Sequence, residues 1–474
     1  MLETIRCEVA VIGSGPGGAV TAMTLASKGH DVVLLEEGPH LTLDSCPPFS
    51  LEEMRQKYRW GGLNPALGAP TVPLVEACCV GGGSEINAGL YHRTPPEVLE
   101  LWRDRFDVRH LNESDLVPHF EACESALSVQ LNPRLQPAAS IKMKMGAERL
   151  GWKTLEVPRW FKYSEIPGPG RSTQGARQSM TQTFIPAAQT ANCRLLAGVR
   201  ADRLMRLSSH WQVKAIRQNE MLTVDADALF VCCGAVETPA LLRRSGIKNN
   251  IGNTLALHPT IKVVAMFEDE INNADIAAQQ VKEFSPRLTM GVSISSLPYL
   301  ALAMTDHPDA NIDLQRQWQH MIICYAAITG ANTGVIRNLP FSRAPLIRYS
   351  LSAEDLKELS TGVVKLCRLL FAAGATHLYP GMIEHPVLKN EADLTSIPPQ
   401  LRRNRISLMT PHLFSSCPMG QNADAAVDSF GQVHGHRNLF INDASLLCTA
   451  PGVNPQGTVM ALARRNALYF SKDL

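Results

Sequence analysis

The feature that most limits what this chain can become is the run Val11-Ile12-Gly13-Ser14-Gly15-Pro16-Gly17-Gly18. Gly13, Gly15 and Gly18 have the G-x-G-x-x-G spacing, which turns a strand sharply into a helix and lets bare backbone approach a pyrophosphate. The spacing alone is weak, because three glycines at those offsets recur in ordinary loops. Its surroundings strengthen it. Cys7 to Ile12 reads as a short buried strand, Ala19 to Lys28 as a helix, and Asp31 to Leu35 as a second strand ending in Glu36. A carboxylate 18 residues after the last glycine is placed for a ribose 2′-hydroxyl and repels a 2′-phosphate. The opening segment therefore predicts a βαβ unit that holds FAD or NAD rather than NADP. The blander alternative, a structural turn followed by a surface glutamate, fits the flanking strands less well.

At 474 residues the chain exceeds the size at which one core keeps growing, so two interleaved domains are expected. A net charge of +1 with scattered Arg and Lys gives no electrostatic case for nucleic acid or an anionic membrane. No apolar run approaches the length of a membrane span, and a strand starting at Cys7 leaves no room for a signal peptide ahead of it. The 12 cysteines include no Cys-x-x-Cys pair, and several lie in apolar strands, as at Val231-Cys232-Cys233. That usage suits buried reduced thiols, not disulfides or a metal site, so a cytoplasmic protein without a bound metal is expected.

Between His40 and Pro73 the pattern breaks at Pro47-Pro48, Trp60-Gly61-Gly62 and Asn64-Pro65, which suggests an excursion covering a cofactor. Val80-Gly81-Gly82-Gly83-Ser84-Glu85-Ile86-Asn87 follows; Gly81 and Gly82 allow close backbone approach, and Ser84 and Asn87 offer hydrogen bonds beside an anion. Helices are predicted over Val98 to Arg105, Glu113 to Ser128 and Ala138 to Leu150. Arg194 to Leu196, Arg203 to Leu207, Trp211 to Ile216 and Leu222 to Val224 read as strands, the later ones as a small meander inserted ahead of a separate strand, Ala228 to Cys233. That strand runs into Gly234 and a short helix to Arg244, another edge for a nucleotide site. Further on, strands are expected at Ile261 to Met266, Arg287 to Ser293, Tyr299 to Met304 and His320 to Thr329, and an amphipathic helix from Ala353 to Ala373.

Five segments in this order resemble the glucose-methanol-choline oxidoreductases, FAD enzymes that take a hydride from an alcohol carbon. They are the glycine turn with Glu36, the loop Val80 to Asn87, Gly234-Ala235-Val236-Glu237-Thr238-Pro239 closing at Ser245-Gly246, Ile251-Gly252-Asn253 to Leu257-His258-Pro259, and a C-terminal run. The last comprises His412 to Gly420, Asp443-Ala444-Ser445 and Gly452-Val453-Asn454-Pro455. The resemblance implies an α/β fold: a Rossmann-like FAD-binding domain interleaved with an α+β substrate domain on an antiparallel sheet. It places residues 1–40, 74–110, 175–265 and 410–474 in the first domain, 111–174 and 266–409 in the second, and makes 41–73 a lid.

By the same resemblance, His412 is the base for the alcohol proton, facing flavin N5, and Asn454 its partner, while Cys417 is a buried packing residue. Gly13, Gly15, Pro16, Gly17, Gly18, Glu36, Gly81, Gly82, Ser84, Asn87, Ala201, Gly234, Asp443, Ala444, Asn454 and Pro455 are implied as cofactor contacts. Ile86 stands where some family members carry a histidine bonded to the flavin, so a non-covalent FAD is expected. Asn454-Pro455 also reads as N-cap and first-turn proline of a terminal helix, Gln456 to Phe470, whose positive end suits the N1 and C2=O edge of a reduced flavin. His258, His434 and His436 are assigned structural roles. Within the family the segments are most similar to the long-chain alcohol oxidases, so the expected partners are a small alcohol of lipophilic character and an acceptor that is oxygen or another carrier. The competing reading is a lyase or photodecarboxylase on the same fold, since fold does not fix function; retention of His412 and Asn454 argues for alcohol oxidation.

Overall fold

Val9 to Ile12 and Val32 to Leu35 are buried on both faces, as the apolar runs of a central parallel sheet must be. In the computed structural model, which describes residues 3–62, 64–133, 136–163, 175–272 and 276–472, they form the middle of a seven-stranded sheet. Its order is Val199–Arg206, Trp211–Arg217, Glu220–Val231, Glu3–Ile12, Val32–Glu36 and Arg194–Ala197, with Leu439–Ile441 beside the upper part of Glu220–Val231. The last strand of the expected meander and the strand after it are one continuous strand, Glu220–Val231. Its first half pairs antiparallel with Trp211–Arg217, and its second half pairs parallel with Leu439–Ile441, which a break in hydrophobicity at Asp225 and Asp227 disguises. The helices Pro16–Ala26 and Gln456–Lys472 pack on this sheet, and both begin at the cavity described below.

A second, antiparallel sheet has the order His377–Pro380, Thr260–Met266, Met321–Ile328, Leu288–Val292, Gln279–Val281 and Thr154–Glu156. Ala353–Ala372 roofs one face. Ser352 and Asp355 form its capping box, and Leu356, Leu359, Val363, Leu366, Leu369 and Leu370 are all buried. At about 1.5–3 kcal/mol per buried side chain, that stripe anchors the helix. Close approach is demanded at Gly362, where a Cβ would lie 3.0 Å from Leu288 and 3.3 Å from Ala326. The opposite face of the sheet looks into the cavity. Tyr299 to Met304 is not a strand: Leu297–Ala303 is a helix that starts after Ser296 with Pro298 in its first turn. Six apolar residues are too short for periodicity to separate the two.

Two main cores follow the two sheets, but not at the expected boundary of 111. Leu111, Leu116, Phe120, Cys123 and Leu127 pack into the core of the first sheet, because Glu113–Ala126 lies against the terminal helix. Residues expected to form the lid contribute a helix, Leu51–Lys57, and a hairpin, Asn64–Ala66 with Val72–Leu74, and they bring Tyr58 and Arg59 to the cavity wall. Part of the expected substrate segment, 164–174, lies outside the described residues.

Candidate active site

A cavity of about 440 Å³ runs between the two sheets. At one end the glycine turn is fixed by its neighbours. Gly13 has φ +102°, and a Cβ there would fall 2.3 Å from the Cys232 carbonyl oxygen; a Cβ on Gly18 would fall 1.8 Å from the Gly13 carbonyl oxygen. Gly18 therefore serves helix–strand packing and does not line the cavity, whereas Gly13, Gly15, Pro16 and Gly17 do. The helix that starts here has no side-chain cap and no acid in its first turn, so its N–H groups and positive end face the cavity.

Glu36 also lines the cavity, but most of its carboxylate is engaged by protein. Oε2 accepts from Ser14 N and Oγ at 2.9 and 2.8 Å, and Oε1 accepts from Gly38 N at 2.8 Å. Burial pushes its pKa up, and these donors pull it back. Its first role is to brace the turn, which leaves little more than one lone pair for a ribose. Beside it Arg59, absent from the expected set, bonds Glu37 at 2.9 Å and faces Glu237.

The second glycine loop departs from expectation. Gly82 and Asn87 line the cavity; Gly81 and Ser84 do not. Ser84 Oγ donates to the Gly81 carbonyl at 2.7 Å and accepts from Met180 N at 3.0 Å, so it holds the loop from behind. The side to which a residue points in a short 3₁₀ turn cannot be read from its spacing. Asn87 Nδ2 donates to Gln456 Oε1 at 2.8 Å, tying this loop to the terminal helix. Ala201, Gly234, Asp443 and Ala444 complete this wall. The Asp443 carboxylate is saturated: Gly234 N and Thr238 Oγ1 donate to Oδ2, and Ser445 N and Oγ donate to Oδ1, at 2.5 to 2.8 Å. It positions two backbone turns and has no lone pair left for a cofactor.

At the other end stand His412 and Asn454. Short strands Leu408–Met409 and Leu413–Phe414 pair with Thr260–Met266 and Ala256–Leu257, so the chain around His412 runs antiparallel to the chain around His258. The two imidazoles meet through Nδ1, 3.0 Å apart. His258 is therefore a direct neighbour of the proposed base, beyond the structural role expected for it. Asn454 Nδ2 approaches His412 Nε2 at 3.4 Å, and Asn454 Oδ1 accepts from Gln280 Nε2 at 3.1 Å. The side chain does not cap the terminal helix. Gln456–Lys472 begins at the expected residue, but its first-turn bond runs from Val459 N to the Pro455 carbonyl, so Pro455 and not Asn454 stands at the cap position. Asn454 and Pro455 both line the cavity, so the helix end still faces it.

The proton positions in this array are contested. Gly452 N–H donates to His258 Nε2 at 3.2 Å, which puts the His258 proton on Nδ1 and makes His412 Nδ1 an acceptor. The Asn454 amide, as oriented, asks the reverse, with His412 Nε2 as a lone pair and its proton on Nδ1. Two arrangements thus compete for one shared proton. Burial lowers His412 to about 4 and His258 well below its ordinary value, so both rings are neutral at pH 7. Gln280, Tyr325 and Lys262 were not singled out by sequence; they lie in strands where nothing local distinguishes them from packing residues. Cys417 is fully buried, its thiol pushed up by burial, and all 12 cysteines are free. Among the described residues, no helix is long and apolar enough to cross a membrane.

A glycine-lined dinucleotide cavity that ends on a neutral histidine and an amide describes a flavin-dependent oxidoreductase. Family models described as GMC oxidoreductase match residues 54–260 and 342–463, and one described as pyridine nucleotide-disulphide oxidoreductase matches residues 7–59. An uncharacterized GMC-type oxidoreductase of Sinorhizobium fredii is 35% identical over 98% of this chain and 94% of its own. A long-chain-alcohol oxidase of Arabidopsis thaliana is 26% identical over 99% of this chain and 68% of its own. Pyridoxine 4-oxidase from Mesorbium loti superposes with a TM-score of 0.77 at 18% identity over 98% of this chain and 99% of its own. Formate oxidase from Aspergillus oryzae superposes with a TM-score of 0.79 at 15% identity, covering 100% and 99% of the two chains. The chain belongs to the GMC oxidoreductase family, whose members are FAD-dependent oxidoreductases.

The residues fit that cofactor. A Cβ on Gly15 would meet only the Gly82 Cα, at 3.9 Å, so the protein itself does not require glycine there; the space belongs to the cavity. Gly15 and Gly82, from two distant loops, with the uncapped helix end beside them, leave bare backbone facing the cavity, where a pyrophosphate could be held.

Proposed function

We propose that this protein oxidises the CH–OH group of an alcohol to a carbonyl, with His412 taking the hydroxyl proton and Asn454 holding the alcohol oxygen. The observation that supports this is the 3.4 Å approach of Asn454 Nδ2 to His412 Nε2 on the wall of the cavity that also runs along the glycine turn. A contact that long is readily opened by an alcohol, whose oxygen accepts from the amide and donates to the His412 lone pair. In that state the His412 ring proton sits on Nδ1, toward His258. His412 is neutral at pH 7 because burial lowers it to about 4, so the lone pair is available. As charge develops on the alcohol oxygen, the Asn454 N–H, held in place by Gln280, and the positive end of Gln456–Lys472 oppose it. Bound FAD supplies the two-electron acceptor for the hydrogen on the carbinol carbon.

Ile86 lines the cavity, and its hydrocarbon side chain offers no atom for a bond to the flavin, which supports non-covalent FAD. Acid precipitation should then release yellow FAD into the supernatant; colour kept in the pellet would refute it. Relatives named for an activity include a long-chain-alcohol oxidase, which favours oxygen as acceptor. The deciding experiment is an anaerobic absorbance titration of the FAD-loaded protein with neutral and acidic alcohols. Bleaching of the flavin band by an alcohol is expected, with recovery on admitting air. A bound flavin that no alcohol bleaches would overturn the reading.

A further inference from the structure

One row of the second sheet crosses the cavity wall from Lys262 to Asn454. Lys262 pairs with Tyr325, Tyr325 with Gly291, and Gly291 with Gln280, so the four residues lie side by side on one face. Tyr325 lies across Gly291, where a Cβ would be only 2.7 Å from its hydroxyl oxygen, and that oxygen accepts from Gln280 Nε2 at 2.9 Å. Gln280 in turn holds Asn454. Two residues before Lys262, Thr260 pairs with Met409, three residues from His412. An ammonium group is therefore built into the same wall as the proposed reacting pair, about 6–7 Å along the strand from Thr260.

Among the described residues this cation has no acidic partner. The Lys262 ammonium has no hydrogen bond or salt bridge among the described residues; Nζ lies 5.9 Å from the centroid of the Tyr299 ring. The acids that line the cavity are engaged elsewhere: Glu36 braces the glycine turn, Glu37 and Glu237 face Arg59, Glu76 accepts from Asn64, and Asp443 is saturated. The lining arginines are engaged by protein, Arg59 with Glu37, Arg200 with Asp202 and Arg244 with the Asp202 carbonyl, whereas the Lys262 ammonium is not. Burial alone acts on it, lowering it to about 8, so it stays largely charged at pH 7. A pocket for a purely apolar alcohol would gain from Leu or Met here, since a buried charge without a partner is costly. The free surface of Lys262 faces the cavity, and what enters the cavity is what can offset that cost.

We propose that the alcohol oxidised here carries an acidic group, in the simplest case a carboxylate, that pairs with Lys262 while its carbinol lies between His412 and Asn454. This rests on the alcohol-oxidation reading above and replaces the lipophilic alcohol expected from sequence. Val292, Ile294, Ala327 and Met409 supply the apolar wall along which the carbon chain between the two groups would lie.

The test compares kcat/KM of the FAD-loaded enzyme for ω-hydroxyalkanoates and for neutral 1-alkanols of equal carbon number. At the best chain length the acid is expected to be preferred by about 10- to 100-fold, the range for a charge-assisted bond. The preference should collapse to about one in Lys262→Met and survive in Lys262→Arg, with an unchanged flavin spectrum reporting that both variants fold. A wild-type ratio at or below one, or a ratio retained in Lys262→Met, overturns the proposal and leaves alcohol oxidation standing. Calorimetric binding of the matching unhydroxylated alkanoates separates the two claims further. Binding to the wild type that weakens about 10-fold or more in Lys262→Met supports the anion site even if no alcohol is turned over, in which case only the oxidation reading fails. Absent binding, or equal binding to both proteins, overturns the anion site whatever the turnover.

Discussion

Replacing Gly15 and Gly18 by alanine, one at a time, separates what the glycine turn does for the fold from what it does for the cofactor. At Gly18 a Cβ would stand 1.8 Å from the Gly13 carbonyl oxygen and 3.1 Å from the Cys232 Cβ. Gly13 and Cys232 follow directly on the central strands Glu3–Ile12 and Glu220–Val231, so backbone has to move, at a cost in the upper part of the about 1–3 kcal/mol typical of overpacking or beyond it. At Gly15 the Cβ finds the Gly82 Cα at 3.9 Å, an ordinary contact, and φ −62°, ψ −176° is open to alanine. The apoprotein should lose less than about 1 kcal/mol, because alanine caps a helix worse than glycine but also restricts the unfolded chain. The added methyl protrudes into the cavity that Gly15 lines. There it should cost about 1–3 kcal/mol of FAD binding, or about 5- to 150-fold in Kd. Urea unfolding of the apoprotein measures the first quantity, and flavin fluorescence quenching on reconstitution measures the second. The reasoning fails if Gly15→Ala binds FAD as the wild type does, or if Gly18→Ala apoprotein unfolds at an unchanged urea concentration.

Four other expectations follow from the same geometry. His412→Ala should lose about 10²–10⁴ in turnover while keeping its bound flavin, and unaltered rates of flavin reduction in a stopped-flow experiment would remove His412 from the role of base. Because burial lowers His412 from 6.5 to about 4, the neutral form persists in acid, and the acidic limb of kcat/KM should inflect near 4 rather than near 6.5. The sign for stability is the opposite of a salt-bridged histidine. The unfolded ring takes up a proton below 6.5 and the folded ring does not until about 4, so stability falls as pH drops through that window, by up to about 3 kcal/mol; a pH series of urea midpoints checks it against His412→Ala, where the drop should shrink. Asp443→Asn must turn an NH₂ toward one of two donor pairs, either Gly234 N and Thr238 Oγ1 or Ser445 N and Oγ. It should cost at least about 2 kcal/mol in urea unfolding, and a wild-type midpoint would show that the carboxylate is not the strut described.

The chain's linear order alone was enough to specify the dinucleotide-binding turn, the order of the family segments, and the long amphipathic helix over the second sheet. Each depends on residues within about one element of one another: glycine offsets, a cap followed by a stripe, apolar runs bounded by turns. The same locality explains the failures. Ser84 lies in the right loop but faces away from the cavity, and Gly18 packs a helix on a strand, because spacing places a residue on an element without saying which neighbour it meets. Tyr299 to Met304 reads as a strand, where the chain forms the helix Leu297–Ala303, since six apolar residues carry no resolvable period. What only the tertiary structure decided is the chemistry around His412. Its contact with His258 joins residues 154 positions apart, and the bond from Gln280 to Asn454 joins residues 174 apart. Lys262 is the sharpest case. In sequence it is one polar residue in an apolar strand, and whether its charge is solvated, paired or left facing the cavity depends on which acids the folded chain brings near it; among the described residues none pairs with it.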